Sequence, residues 1–143
     1  FFYIISQIIG SIFAGYFLKF TIGNYAAIGA NLPLLKSNFN YLLSFFTEFI
    51  LSALLAIVII RVAYIEKLSL NFLAASCGLL VCVEVIVFGA ITGAAMNPIR
   101  AIGPHFAADF PGGLLIYIFG PTLGFLFMTE VYIFFRNKIN IKK

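Results

Sequence analysis

Long apolar runs dominate the chain, and four of them are long enough to cross a bilayer as helices. A membrane-spanning helix needs about 20 mostly apolar residues. None of these runs carries the strongly charged face of a helix that lies in the membrane interface. The pattern therefore predicts an all-α membrane protein with four transmembrane helices, at residues 1–20, 41–63, 71–88 and 113–135.

The polar positions between these runs carry basic residues that predict the orientation of the chain. A polar connection around Lys36 joins the first two predicted spans, and a short link with Arg61 and Lys67 joins the second and third. Cytoplasmic flanks are enriched in Lys and Arg. We therefore expect the short link and both ends of the chain to be cytoplasmic, and the Lys36 connection to be external. Four of the nine basic residues support this by lying close together at the C-terminus: Arg136, Lys138, Lys142 and Lys143.

The segment 89–108 fits neither a span nor an ordinary polar loop. It is apolar but interrupted by glycine and proline, and it contains Asn97 followed by Pro98. A capping residue followed by proline at the first helical position predicts a helix start, here of a short helix from Pro98 to about Ala107. Irregular backbone at membrane depth is tolerated only where it is buried in protein or lines a cavity. The segment is therefore predicted to be a re-entrant loop followed by a half-helix.

This half-helix would place a positive helix terminus and a fixed charge inside the membrane. A helix start carries roughly +0.5 of an elementary charge, and Asn97 and Arg100 are three residues apart, on one face. An arginine at membrane depth costs about 2.5–3.5 kcal/mol on insertion scales and usually has a function. Water channels select solutes with such a helix end and an arginine. The alternative is that Asn97 and Pro98 form a loop turn and Arg100 lies at the interface, but the neighbouring glycines favour the re-entrant interpretation.

Composition excludes several classes of protein. With 63% hydrophobic and 10% charged residues, the chain is too apolar for a soluble enzyme domain, a disordered tail or a secreted module. The basic residues lie at span ends, which argues against nucleic-acid binding. One histidine and two cysteines leave little room for a metal site, and we expect Cys77 and Cys82 to be buried or lipid-facing thiols. No nucleophile–base pair is evident, so neither enzymatic activity nor a cofactor is predicted.

These motifs resemble the major intrinsic proteins, the aquaporin and aquaglyceroporin family. Residues 92–100 are similar to the family's second Asn-Pro-Ala box with its arginine, and the Gly-Pro pair at 103–104 continues the match. Residues 3–10, 47–49 and 120–124 resemble the third, fourth and sixth spans of the family. The resemblance covers essentially the whole chain, and it implies spans three to six of the aquaporin fold with one re-entrant half-helix.

The resemblance also implies which residues select the solute. The narrow filter would be formed by Val85, Ala94 and Arg100, with Asn97 in the pore. Val85 stands where strict water channels usually place a histidine, and Ala94 adds no bulk. That pairing is similar to the plant nodulin-26-like subgroup, whose members pass glycerol, boric acid, arsenite or silicic acid. The function implied is a passive channel for water and small uncharged solutes.

Other residues would support the re-entrant loop. Glu48 resembles the glutamate that accepts backbone N–H groups of this loop in the family, and Gly93, Met96 and Pro98 belong to the box itself. His105 occupies a position where the family varies with substrate class. We expect His105 either to contribute to the pore side or to be an interfacial residue.

Three residues depart from the family pattern. Ile99 replaces the usual alanine of the box and adds bulk where two half-helices would meet. Glu84 and Glu130 are carboxylates without an evident partner in apolar segments. Each would be protonated, or would pair with an arginine, a lysine or a polar group.

The chain contains only one of the two boxes that the family uses. The family is built from two inverted halves, each with its own re-entrant loop, so we expect residues before Phe1 to supply the first half. A complete channel would lie in the lipid bilayer as a homotetramer. The alternative function is a non-conducting membrane fragment that only packs with partners. Because exposed backbone in the membrane costs several kcal/mol per unsatisfied group, we expect the re-entrant segment of this chain alone to be mobile, misplaced or covered by a partner.

Overall fold

All the regular secondary structure is helical in the part of the chain that the structure describes. The computed structural model describes residues 1–34 and 36–140, with the backbone alone for 138–140, so Lys142 and Lys143 lie outside the described residues. The helices are α1 (Phe2–Ile22), α2 (Asn38–Ile59), α3 (Leu70–Thr92), α4 (Pro98–Ala107) and α5 (Leu114–Asn140). A 3-10 turn, Ala26–Gly29, lies between α1 and α2, and α2 continues into a π-helical turn, Ile60–Ile65.

Four of these helical stretches are long and apolar enough to cross a membrane. They are Phe2–Ile22, Asn38–Ile65, Leu70–Thr92 and Leu114–Asn137. Their outer faces expose large apolar side chains such as Phe13, Ile86 and Phe134. Contact of such a surface with water is unfavourable, whereas contact with lipid chains is not. The predicted fold class, four transmembrane helices plus one short helix, is confirmed, and the chain is an integral membrane protein.

Local signals explain where the helices begin and end. Ser37 and Ser69 cap α2 and α3, each accepting a backbone N–H through its hydroxyl group, as expected for residues at a helix start. Helix α3 ends at Gly93, whose φ of 80° is left-handed. Residues 89–92, which the sequence assigned to the re-entrant loop, are therefore helical, and the irregular backbone is confined to residues 93–97. The helix continues past its predicted end because Gly89 does not interrupt it: the Gly89 carbonyl accepts the Gly93 N–H at 2.8 Å.

The helices pack in two pairs, α2 with α5 and α1 with α4. Helix α4 also contacts α5, and α3 packs against α2. The α2–α5 contact is close: a Cβ atom at Gly124 would lie 2.0 Å from the Phe49 carbonyl oxygen. Small residues that permit such an approach are typical of membrane helix interfaces. The packing places the short helix α4 between α1 and α5, with the preceding loop against α2.

The buried core is small and is centred on that loop. One cluster contains Leu51, Ala94 and Met96, and a second contains Ala95, Ala101 and Tyr117. The irregular segment thus contributes residues to both clusters, whereas much of the surface of the long helices is open. Cys77 is partly buried and Cys82 is exposed, and both are free thiols.

Candidate functional site

Glu48 holds the backbone N–H groups of the irregular loop. Its Oε1 atom accepts the Ala95 N–H at 2.9 Å, and its Oε2 atom accepts the Met96 N–H at 2.8 Å. The side chain is completely buried in α2. Hydrogen bonds to an ionised acceptor are about twice as strong as neutral ones. The carboxylate therefore fixes two successive peptide units of the loop to α2.

Arg100 holds the carbonyl groups on the other side of the same loop. Its Nη1 atom donates to the Ala94 carbonyl and, at 3.4 Å, to the Ala95 carbonyl. The Ala94 N–H in turn donates to Thr92 Oγ1 at 3.0 Å. The loop is thus held between an anionic side chain that accepts its N–H groups and a cationic side chain that binds its carbonyls.

Two uncharged residues complete the support of the loop. Ser52, on α2, donates its hydroxyl to the Met96 carbonyl at 3.3 Å. Asn31, in the connection between α1 and α2, donates its side-chain amide to the Gly93 carbonyl at 2.8 Å and is itself buried. The connection, which was predicted only to be a polar external segment, therefore also folds back over the loop.

All backbone N–H and carbonyl groups from Gly93 to Met96 consequently have partners within this chain. Irregular backbone at membrane depth requires this. Helices α2, α3 and α4 and the α1–α2 connection supply every partner. The exposed backbone from which we expected a mobile, misplaced or partner-covered segment is therefore not found between Gly93 and Met96.

Asn97 begins α4 and lies at an open surface. Its Oδ1 atom accepts the Ile99 N–H at 2.9 Å, and Pro98 occupies the first helical turn. The Nδ2 atom of Asn97 has no hydrogen-bond partner among the described residues, so its two N–H groups are available to a ligand. With Met96 and Pro98 it lines a groove of about 440 Å³ between α2 and α5, whose other walls are Leu55, Ile59, Pro121, Thr122, Phe125 and Leu126.

The three residues assigned to the filter are in different environments. Arg100 is exposed although its guanidinium is bound to the loop. Ala94 has no accessible surface, so its side chain does not face a pore. Its part in the site is its carbonyl oxygen, which accepts a hydrogen bond from Arg100. Val85 lies on α3 and is 38% exposed. The structure thus brings Ala94 and Arg100 into contact and leaves Val85 on the open side of a separate helix.

His105 does not line the groove and does not lie at the surface. It is completely buried, with Nδ1 2.8 Å from the Ala101 carbonyl oxygen and Nε2 3.2 Å from that of Gly112. Its ring packs against the Tyr117 ring, with the centroids 5.8 Å apart. Both expected positions, pore side and interface, are therefore replaced by a structural one, in which the imidazole joins α4 to the segment before α5.

The residues that depart from the family pattern also differ from one another in their surroundings. Glu84 is 3% exposed, and neither carboxyl oxygen has a hydrogen-bond partner among the described residues. Glu130 lies within the last span, on α5, and is exposed. Ile99 is partly buried in the first turn of α4.

Sequence reasoning missed two of the supporting residues. Ser52 had a detectable signal, because Ser44, Glu48 and Ser52 recur every four residues and so share one face of α2. All three are buried on that face. Asn31 had none, since nothing distinguishes it from the other polar residues of its connection.

Comparison with known proteins agrees with this arrangement. A family model described as Major intrinsic protein matches residues 1–132. Aquaporin NIP3-1 of Oryza sativa subsp. japonica is 33% identical over 130 residues, which are 91% of this chain and 41% of that protein. Nodulin-26 of Glycine max is 33% identical over 131 residues, 91% of this chain and 47% of that protein. A probable aquaporin NIP-type of Nicotiana alata is 36% identical over 137 residues, 94% of this chain and 49% of that protein.

The chain therefore spans less than half the length of these relatives. The predicted resemblance to the nodulin-26-like proteins is confirmed by their identity to it over nine-tenths of its length. Together with the family match over residues 1–132, this shows that the chain belongs to the major intrinsic protein family.

Proposed function

We propose that this chain contributes spans three to six to a passive channel for water and small uncharged solutes. The observation that carries the proposal is the loop 93–97, which is fixed between Glu48 and Arg100. A loop held in this way presents the free amide of Asn97 at the start of α4, beside an open groove. Fixed donors at a helix start are suited to replacing the hydrogen bonds that a neutral solute makes to water.

The same arrangement opposes charged species. The start of α4 carries the positive end of the helix dipole, and Arg100 adds a full positive charge three residues further on. The groove beside Asn97 is otherwise lined mainly by apolar side chains. A cation would therefore lose its hydration without finding an acceptor, whereas a neutral polyol or acid needs only donors for its oxygens.

The solutes that we propose are water, glycerol, boric acid and other metalloid acids. Support comes from Val85, which is smaller and less polar than a histidine, and from Ala94, whose side chain is completely buried and so takes up no room in a solute path. Similarity to nodulin-26 of Glycine max supports the same subgroup. We further propose a homotetramer in the bilayer, with the Arg61 link and both ends of the chain cytoplasmic and the Lys36 connection external.

Flux measurements on proteoliposomes test this function. The protein is expressed from its own gene, with any coding sequence upstream of Phe1 retained, and stopped-flow swelling is recorded with glycerol and with boric acid. We expect flux above the lipid background, and Arg100→Ala should admit more protons relative to glycerol because a fixed positive charge is removed. Solute flux at the level of protein-free liposomes would instead support the non-conducting alternative.

A further inference from the structure

Ser11, on α1, joins two backbone groups of the short helix α4. Its hydroxyl donates to the Ile99 carbonyl at 2.7 Å and accepts the Gly103 N–H at 3.0 Å. These two groups are four residues apart, the pair that an α-helix joins in its own hydrogen-bond ladder. The hydroxyl of a separate helix therefore bridges this step of the ladder.

Close packing keeps the Ser11 hydroxyl in place. A Cβ atom at Gly103 would lie 2.2 Å from Ser11 Oγ and 2.1 Å from the Ser11 carbonyl oxygen. One turn further along α1, a Cβ atom at Gly15 would lie 2.7 Å from the Gly103 carbonyl oxygen. Because the two backbones touch at both points, Ser11 stays in contact with α4 as long as the two helices remain packed.

Ile99 is consequently held through both of its backbone groups. Asn97 accepts its N–H at 2.9 Å, and Ser11 donates to its carbonyl at 2.7 Å. The Ile99 carbonyl and the Arg100 N–H belong to one planar peptide unit. Fixing the direction of that carbonyl therefore fixes the peptide from which the Arg100 side chain extends toward the Ala94 carbonyl.

We propose that Ser11 is a positioning residue for Arg100. By holding the peptide between Ile99 and Arg100, it keeps the guanidinium bound to the loop at the point where the channel excludes charge. An alanine at this position would fit the same contact, but it would release the Ile99 carbonyl toward the Gly103 N–H. This inference rests on the proposed function, since it assigns to Ser11 an effect on selectivity.

The test compares proton and glycerol permeability in the same proteoliposomes, expressed as a ratio that does not depend on the amount of protein. We expect Ser11→Ala to raise the proton-to-glycerol ratio about fivefold, the factor that corresponds to one hydrogen bond of about 1 kcal/mol. Ser6→Ala is the matched control, because the Ser6 hydroxyl bonds only the Tyr3 carbonyl of its own helix. Ser6→Ala should leave the ratio unchanged.

A double-mutant cycle distinguishes positioning from general destabilisation. If Ser11 acts through Arg100, adding Ser11→Ala to Arg100→Ala changes the ratio no further, because coupled residues are non-additive. An equal increase in both backgrounds, or no increase in Ser11→Ala, overturns the inference. Should Ser11→Ala fail to fold, Ser11→Cys is measured in the same way, because a thiol is a weaker donor. A wild-type protein without Arg100-dependent selectivity overturns the proposed function itself, which separates the two failures.

Discussion

At the scale of single residues, the loop is stabilised by two charged side chains that bind backbone and not each other. Glu48 accepts the N–H groups of Ala95 and Met96, and Arg100 donates to the carbonyl groups of Ala94 and Ala95. A buried charge is costly unless hydrogen bonds replace its hydration. Here the irregular peptides themselves supply those hydrogen bonds, so the loop and the charges stabilise one another.

Replacing Glu48 by glutamine should destabilise the protein by about 2–3 kcal/mol, because a hydrogen bond to a charged group contributes about 1.5–3 kcal/mol. Glutamine keeps one acceptor oxygen but turns an N–H₂ group toward a backbone N–H, so one buried donor loses its partner. Thermal unfolding in detergent, followed by circular dichroism, measures the change. Glu130→Gln is the matched control, since Glu130 is exposed on α5, and it should alter stability by less than about 0.5 kcal/mol. Equal effects of the two substitutions would show that Glu48 does not support the loop.

Replacing Val85 by histidine should shift permeation from glycerol and boric acid toward water. The imidazole would add bulk and hydrogen-bonding groups at the position to which the family resemblance assigns the histidine of strict water channels. Liposome swelling with each solute measures the ratio of solute to water flux. Val83→His is the control, because Val83 is also exposed on α3 but lies two residues away, on nearly the opposite face of the helix. An unchanged ratio in Val85→His would mean that Val85 does not line the filter.

At the scale of the elements, the sequence predicted helix starts better than helix ends. Asn97 followed by Pro98 is a local signal, and α4 begins where that signal places its start. The end of α3 was predicted too early because Gly89 and Gly93 carry the same local preference. Gly93 ends the helix, and its carbonyl is bound by Asn31, a residue 62 positions earlier in the chain. Such a tertiary contact leaves no local trace in the sequence.

Replacing Gly124 by alanine should separate α5 from α2 and destabilise the protein by about 1–3 kcal/mol, the usual cost of overpacking. The new Cβ atom would lie 2.0 Å from the Phe49 carbonyl oxygen, next to Glu48, so solute flux should fall as well. Gly10→Ala on α1 is the control, because nothing lies within 4 Å of a Cβ atom there. Alanine at that helical position should stabilise the protein slightly. Thermal unfolding of both variants decides the matter, and a neutral Gly124→Ala would contradict the close α2–α5 contact.

At the scale of the whole molecule, the membrane made the fold class predictable but not the packing. Apolar spans must satisfy their backbone internally, so composition and span length already predicted helices. The pairing of α1 with α4 depends on Ser11 and Gly15 meeting Gly103 and Ala107, a contact between distant small residues. Small residues are too common in membrane helices for the sequence alone to select this contact.

The polypeptide of residues 1–143, reconstituted by itself, should show no Arg100-dependent solute flux. A conduit needs walls on all sides, and in the structure Asn97 lies at an exposed surface beside an open groove. The loop would nevertheless be formed, because the chain satisfies its backbone groups from Gly93 to Met96. The same preparation should therefore be folded but inactive, with a Glu48-dependent thermal transition and glycerol flux equal to that of Arg100→Ala. Flux above that of Arg100→Ala would show that this polypeptide, alone or with further copies of itself, closes the conduit.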